Sequence, residues 1–136
     1  MAECVFHNKV RSIRVIKVVL KVSVRNVSRG TSLGDGIETA KSGGDRKKGL
    51  LGRTGLEPGG GMWIVPCEGI HTFFMKFAID VIYIDRKKKV RKTIGSLGPW
   101  KLSLCLRAHS VLELPVGAIE ASGTQPGDQL EIGPVA

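Results

Sequence analysis

The segment His71–Asp85 (HTFFMKFAIDVIYID) carries ionisable side chains inside an otherwise apolar stretch. Such groups in the core of a small protein cost free energy unless they are paired with another charge. If the second half of the segment is a strand, Asp80 shares a face with Ile82 and Ile84 and needs a partner. The segment therefore predicts either a structural charge network or the floor of a binding site.

Asp80 has two candidate partners, Lys76 and Arg53, and a buried pair with either one would be structural. In the alternative interpretation, these three side chains line a pocket and hold a small anionic or polar ligand. Glu113 is expected on the solvent-facing side of a strand. Gly127–Asp128 predicts a turn in the first place and a ligand contact only in the second. The full hypothesis is a ligand-binding site without a catalytic residue, made of Arg53, His71, Lys76, Asp80, Glu113 and Asp128.

Two matched spacings, Cys67-x3-His71 and Cys105-x3-His109, could complete a tetrahedral zinc site. In a strand, however, residues four apart lie about 13 Å from each other, too far to share one metal without a turn. A Cys67–His71 nucleophile pair is a further alternative, since a nearby base produces the reactive thiolate. A buried cysteine that acts as a small hydrophobic residue needs neither chemistry. We therefore predict no metal and no cofactor, and keep a Cys/His metalloprotein or hydrolase as an alternative.

A basic hairpin tip is the third candidate site, with residues Arg86, Lys87, Lys88, Lys89 and Arg91. If the tip lies beside the second basic cluster, Arg46–Arg53, the two could bind a phosphate backbone by releasing counterions. Small nucleic-acid-binding barrels also use exposed aromatic platforms. The aromatic residues predicted to lie in the core here are Phe73, Phe74, Phe77 and Tyr83. Nucleic-acid binding is therefore an alternative that the sequence allows but does not favour.

The composition is that of one globular domain with an excess of positive charge. The chain has 136 residues, 42% hydrophobic and 24% charged. A chain of this length buries enough surface to fold without a disulfide or a metal. The formal net charge of +9 favours an anionic partner, such as a small ligand or an acidic protein, without identifying it. Three cysteines at wide, irregular spacing do not indicate a disulfide framework.

The N-terminal segment lacks the pattern of a signal peptide or a membrane span. Its apolar stretch Ile13–Val24 is interrupted by Arg14, Lys17 and Lys21. A cytoplasmic location is therefore expected. Residues 1–21 are predicted to be an extension leading into the first strand, and residues 22–136 to be a single domain.

Short strands separated by glycine- and proline-rich turns dominate the rest of the chain. Arg29–Gly36 and Thr54–Gly61 are typical of loops, and Arg46–Gly52 of one short helix that follows Ser42. The predicted strands are Ile13–Val27, Ile37–Ala40, Met62–Val65, Thr72–Phe77, Ile79–Asp85, Val90–Ile94, Lys101–Leu106, Val111–Leu114 and Gln129–Ile132. This pattern indicates a mainly β fold with little helix, in a compact, barrel-like or sandwich-like single domain.

Five motifs follow one another along the chain in a specific order. They are RKKGLLGR (46–53), the segment Gly60–Asp85, LGPWKLS (97–103), HSVLELPVG (109–117) and QPGDQLEIG (125–133). Together they resemble the family catalogued as domain of unknown function 192, over about residues 22–134. The resemblance implies a compact, mainly β domain of bacteria and archaea without an established activity, many of whose members are exported.

The resemblance also implies a set of defining positions. They fall on Arg53, Gly61, Met62, Met75, Lys76, Asp80, Asp85, Glu113, Gly127 and Asp128. The chain departs from the family pattern at Leu51, commonly a methionine, and at Ala78, often a proline. Neither departure removes a charged motif residue. The residues do not decide between an enzyme and a binding module, but they favour a non-enzymatic module that binds a small ligand or a protein.

Overall fold

A computed structural model describes residues 3–4 and 20–135 of the chain. It contains ten strands and two short helices within these residues. The strands are β1 (Glu3–Cys4), β2 (Lys21–Asn26), β3 (Thr31–Ala40), β4 (Gly60–Ile64), β5 (Gly69–His71), β6 (Ile79–Ile84), β7 (Val90–Leu97), β8 (Leu102–Leu104), β9 (Ser110–Leu114) and β10 (Leu130–Pro134). The helices are α1 (Gly43–Lys48) and α2 (Ala118–Ser122).

The strands form a seven-stranded sheet and a three-stranded sheet. The large sheet has the order β10-β2-β3-β4-β9-β6-β7 and curls into a half-barrel. Only β3 and β4 are parallel neighbours in it; the other pairs are antiparallel. The small sheet has the antiparallel order β1-β5-β8. The predicted mainly β, single-domain fold is therefore confirmed, with two short helices instead of one.

The strand β6 separates two hydrophobic clusters, because all six of its residues are buried. Ile79, Val81 and Tyr83 pack into one cluster on one face of the sheet. Ile82 and Ile84 pack into the second cluster on the opposite face, as the period of two residues in a strand requires. Buried hydrophobic side chains thus cover both faces of the large sheet at its middle.

The prediction of a loop over Arg29–Gly36 holds only for its first two residues, because β3 begins at Thr31. Gly34 has a φ of 140°, and a Cβ at this position would collide with the carbonyl oxygen of Gly59. The glycine thus lets the two backbones approach each other while the strand continues. A sequence rich in glycine indicated a turn, whereas the glycine is used here for close backbone packing.

The prediction of a strand over Thr72–Phe77 is also wrong. Thr72 ends the extended region: its carbonyl accepts a hydrogen bond from the N–H of Met75 at 3.1 Å, and Phe74 has a φ of 65°. The strand lies just before this turn, as β5. The prediction that Phe73 and Phe74 are core residues fails with it, since both side chains are exposed.

The remaining elements lie close to their predicted positions. The hairpin between β6 and β7 is confirmed, and Ser42 caps α1 by accepting a hydrogen bond from the N–H of Asp45 at 3.0 Å. The predicted first strand, Ile13–Val27, is represented by β2, and its residues 13–19 lie outside the described part of the chain. Neither of the described helices has the length and apolar character needed to cross a membrane.

Candidate anion-binding cavity

The buried carboxylate of Asp80 accepts three hydrogen bonds from backbone amides. The donors are the N–H groups of Ser96 at 2.9 Å, Ile119 at 2.9 Å and Gly117 at 3.1 Å. The carboxylate thus fastens β7 and the start of α2 to β6, and its charge is compensated by peptide dipoles. The expected partners were Lys76 and Arg53, but Lys76 is exposed to solvent and Arg53 pairs elsewhere.

Asp128 holds the C-terminal turn against the end of β2. Its carboxylate accepts hydrogen bonds from Arg29 Nε, Asn26 Nδ2 and the Gln125 N–H, each at 3.0 Å. The hydrogen bond from Arg29 is the main reason that the pKa of Asp128 falls from 3.8 to about 2, and it outweighs the opposing effect of burial. The predicted turn at Gly127–Asp128 is therefore a structural anchor.

The other predicted ligand-binding residues occupy separate surroundings. Arg53 forms an ion pair of 2.6 Å with Glu38 at the edge of a cavity of about 550 Å³ beside α1. His71 lies on the small sheet, where its ring stacks on Phe73. Glu113 is fully buried, so the expectation of a solvent-facing position is wrong, because the curled sheet is covered on both sides at β9. Ligand binding by these residues stays a prediction.

The cysteine and histidine pairs do not form a metal site within residues 20–135, where no group of three or more His, Cys, Asp or Glu side chains is arranged to hold an ion. Cys67 is buried, and its thiol donates a hydrogen bond to the carbonyl of Gly69 at 3.0 Å. Cys105 is half-buried and lies between the end of β8 and the turn that precedes His109. His109 instead lines a different kind of site.

A cavity of about 490 Å³ opens where the β6–β7 hairpin meets the loop before β9. Its wall consists of Pro66, Glu68, Asp85, Arg86, Lys87, Arg91, Leu106, Arg107, Ala108 and His109. Backbone hydrogen bonds place His109 at its floor: the His109 N–H donates to Ile84 O at 2.8 Å, and Cys67 N–H donates to His109 O at 2.9 Å. Three chain segments far apart in sequence thus converge on one histidine.

Positive charge dominates this cavity. Its wall carries four cationic side chains against two carboxylates. One carboxylate, Asp85, is already engaged, since Arg91 Nη2 lies 3.0 Å from it. The remaining cations, Arg86, Lys87 and Arg107, take part in no ion pair within the described residues 20–135. The cavity therefore has a surplus of uncompensated positive charge.

The imidazole of His109 responds to this surplus. Its pKa lies below 6.5, first because burial disfavours the charged ring and then because Arg86 and Lys88 repel a third positive charge. Its buried Nδ1 atom has no hydrogen-bond partner in the described part of the protein. A negative group that enters the cavity would offset this repulsion and favour the protonated ring.

Asp85 holds the backbone of the hairpin turn in place at the edge of the cavity. Its carboxylate accepts hydrogen bonds from the Lys87 N–H at 2.8 Å and the Lys89 N–H at 3.0 Å, which closes the hairpin turn. Partial burial acts to raise the pKa of Asp85, but these two hydrogen bonds and Arg91 together lower it. Asp85 thus orients the basic hairpin tip and leaves Arg86 and Lys87 on the cavity wall.

Sequence reasoning identified part of this cavity. Arg86, Lys87 and Arg91 belong to the predicted basic tip, and His109 was considered only as a metal ligand. Arg107 was missed, although it stands two residues before His109 and four residues before the predicted strand Val111–Leu114. The pairing of Ile84 with Ser110 brings that strand to the hairpin, and no local sequence signal reveals this contact.

The chain matches the family model described as Uncharacterized ACR, the domain of unknown function 192, over residues 24–132. The chain belongs to this family. Its similarity extends to UPF0127 proteins of two archaea: 36% identity over 76 residues in Pyrococcus furiosus, and 32% over 76 residues in Thermococcus sibiricus. Each match covers 52% of this chain, and 65% and 49% of the respective relatives. The chain thus spans about half to two thirds of the length of these curated relatives.

Two solved structures share the fold. A protein of unknown function from Novosphingobium aromaticivorans has a TM-score of 0.70 and 22% identity, covering 83% of this chain and 84% of its own. A "putative transcription regulator" from Sinorhizobium meliloti has a TM-score of 0.72 and 24% identity, covering 87% and 96%. At these identities the likeness shows the fold alone. The family is uncharacterised, so an assignment of function depends on the site.

Proposed function

We propose that this member of the family is a non-enzymatic binding module that holds a small anion in the cavity around His109. The observation that carries the proposal is the convergence of Arg86, Lys87 and Arg107 on one cavity beside His109, since none of these three cations has an ion pair in the described residues. An anion entering the cavity would compensate these charges.

The chemistry of the wall favours a phosphate or carboxylate group. Arginine presents a planar fork of donors that matches both kinds of oxyanion, and Arg86 and Arg107 both reach the cavity. A volume of about 490 Å³ lies in the range of small-molecule sites and exceeds the volume of a free phosphate ion. The proposed ligand is therefore a small organic molecule that carries an oxyanion.

Calorimetric titration of the purified chain with inorganic phosphate at low ionic strength tests this proposal. Wild type should bind, and Arg107→Gln should weaken the binding by about tenfold, the effect of one charge-assisted hydrogen bond. Arg25→Gln is the matched control, since Arg25 is an exposed arginine of β2 outside this cavity. No binding by wild type, or equal losses in both variants, would contradict the proposal.

Nucleic-acid binding is the second candidate, favoured by one observation. Three of the five residues predicted for that role, Arg86, Lys87 and Arg91, lie together on the cavity wall. A structural neighbour described as a "putative transcription regulator" is compatible with this use. Titration with a DNA duplex at several salt concentrations separates the candidates: polyanion binding predicts a steep salt dependence through counterion release, and a small-ligand site predicts weak binding at every salt concentration.

A further inference from the structure

The strand β8 of the small sheet and the turn after it carry exposed apolar side chains. Leu102 and Leu104 project outward from β8, while Ser103 between them points inward and accepts a hydrogen bond from the Tyr83 hydroxyl at 3.0 Å. The register pairs Leu102 directly with His71 on β5. Leu106 follows after the strand and is 72% exposed. Alternate residues of a strand share one face, and in β8 the face that carries the leucines is the exposed one.

Three aromatic rings extend this surface beyond the end of the sheet. The His71 ring stacks on Phe73 at 4.6 Å, Phe73 on Trp100 at 5.9 Å, and Phe74 meets the edge of Trp100 at 4.7 Å between centroids. Phe74 and Trp100 are 70% and 60% exposed. We call the set Phe73, Phe74, Trp100, Leu102, Leu104 and Leu106 the apolar face.

The backbone holds the two most prominent rings outward at a cost. Phe74 and Trp100 have φ values of 65° and 62°, in the left-handed region that bulky residues rarely adopt. Thr72 fixes both turns, because its hydroxyl donates to Gly98 O at 2.7 Å and accepts from the Lys101 N–H at 2.8 Å. These turns thus hold the Phe74 and Trp100 rings on the surface, at positions where asparagine or glycine would adopt the same backbone with less strain.

Basic side chains border the apolar face. Lys76 and Lys101 are exposed next to the aromatic turns, and Arg107 is exposed next to Leu106. Lys92 lies close by, since its ammonium donates to Leu104 O at 3.1 Å. Exposed tryptophan, phenylalanine and leucine surrounded by lysine and arginine are the composition of proteins that rest on an anionic lipid surface.

We infer that the apolar face binds the chain peripherally to membranes that contain anionic phospholipids. A second copy of the chain is a poor occupant, because the basic border and the net charge of +9 would repel it. A folded protein partner would need pockets for its anchor residues. Of the six residues of the apolar face, only Leu106 lines a cavity described above. Projecting rings fit a fluid lipid surface, which needs no preformed pocket.

Co-sedimentation of the full chain with vesicles tests the inference independently of the phosphate proposal. The vesicles are pure phosphatidylcholine, or phosphatidylcholine with phosphatidylglycerol. The test variant is Phe74→Asn with Trp100→Asn, because asparagine tolerates the left-handed backbone and should preserve folding. The control is Val27→Asn, an exposed valine in the β2–β3 turn that is 48% exposed. A urea titration of every variant verifies that it is folded.

The expected result is binding of wild type to the anionic vesicles, a loss of at least about tenfold in the double variant, and no change in the control. Of the basic border, saturating inorganic phosphate at constant ionic strength engages only Arg107, so most of the vesicle binding should remain, and this outcome separates the apolar face from the cavity. Absence of vesicle binding by wild type, or full binding by the folded double variant, would overturn the inference. Binding to soluble polyglutamate without binding to vesicles would also overturn it, in favour of an acidic protein partner.

Discussion

Two groups of charged side chains in this protein differ in how fully other groups compensate their charge. Asp80 and Asp128 each accept at least three hydrogen bonds at buried sites. Arg86, Lys87 and Arg107 line an open cavity without an ion pair in the described residues. The comparison teaches that Asp80 and Asp128 stabilise the fold, while the proposed anion site uses cations that lie between the motifs.

The largest effect is expected from Asp80→Ala, which leaves three backbone N–H groups without their acceptor. All three hydrogen bonds are partly buried, and loss of a charged acceptor should lower the free energy of unfolding by about 3 kcal/mol. Urea denaturation measures this change. Asp35→Ala is the control, since Asp35 is exposed and a surface substitution costs at most about 0.5 kcal/mol. Equal losses in both variants would mean that Asp80 is not a structural anchor.

The next effect concerns Asp128 and low pH. Its pKa falls from 3.8 in the unfolded chain to about 2 in the folded protein. The charged form is therefore favoured by folding, and its contribution of roughly 1–2 kcal/mol is present above pH 3.8 and is lost as the pH falls towards 2. Thermal unfolding of wild type and Asp128→Asn across this range should show that the variant lacks this part of the pH dependence. Parallel curves would contradict the assignment.

A smaller effect is expected from His109 at a higher pH. Its pKa in the folded protein lies below the ordinary 6.5, so folding disfavours protonation. As the pH falls through 6.5, the unfolded chain takes up the proton first, and stability decreases until the folded pKa is reached. His109→Gln should unfold with less change over the same interval. A steeper decline in the variant than in wild type would contradict the lowered pKa of His109 in the folded protein.

Strands marked by an apolar run and bounded by a turn could be predicted from the sequence. The apolar run of β6 and the basic turn after it predicted the hairpin with β7, because local signals determine both. The buried position of Glu113 could not be predicted. The polar alternation of β9 suggests one wet face, and only the curl of the large sheet covers both of its faces.

The two candidate surfaces were predictable only in part, for a common reason. Phe73 and Phe74 have the composition of core residues, but Thr72 binds a turn 26 to 29 residues away and directs them outward. The cavity combines the hairpin tip with residues 106–109, which meet through the pairing of β6 with β9. Contacts between distant segments decide both surfaces, and single-sequence patterns carry no information about them.

The most direct test of the central claim is the pKa of the His109 imidazole, measured by NMR with and without inorganic phosphate, and assigned by comparison with His109→Gln. An anion held beside the ring favours its protonated form, and proton and anion binding are reciprocally linked. We predict that phosphate raises the pKa of His109 and that chloride at equal ionic strength does not. An identical pKa in both salts would contradict anion binding in this cavity.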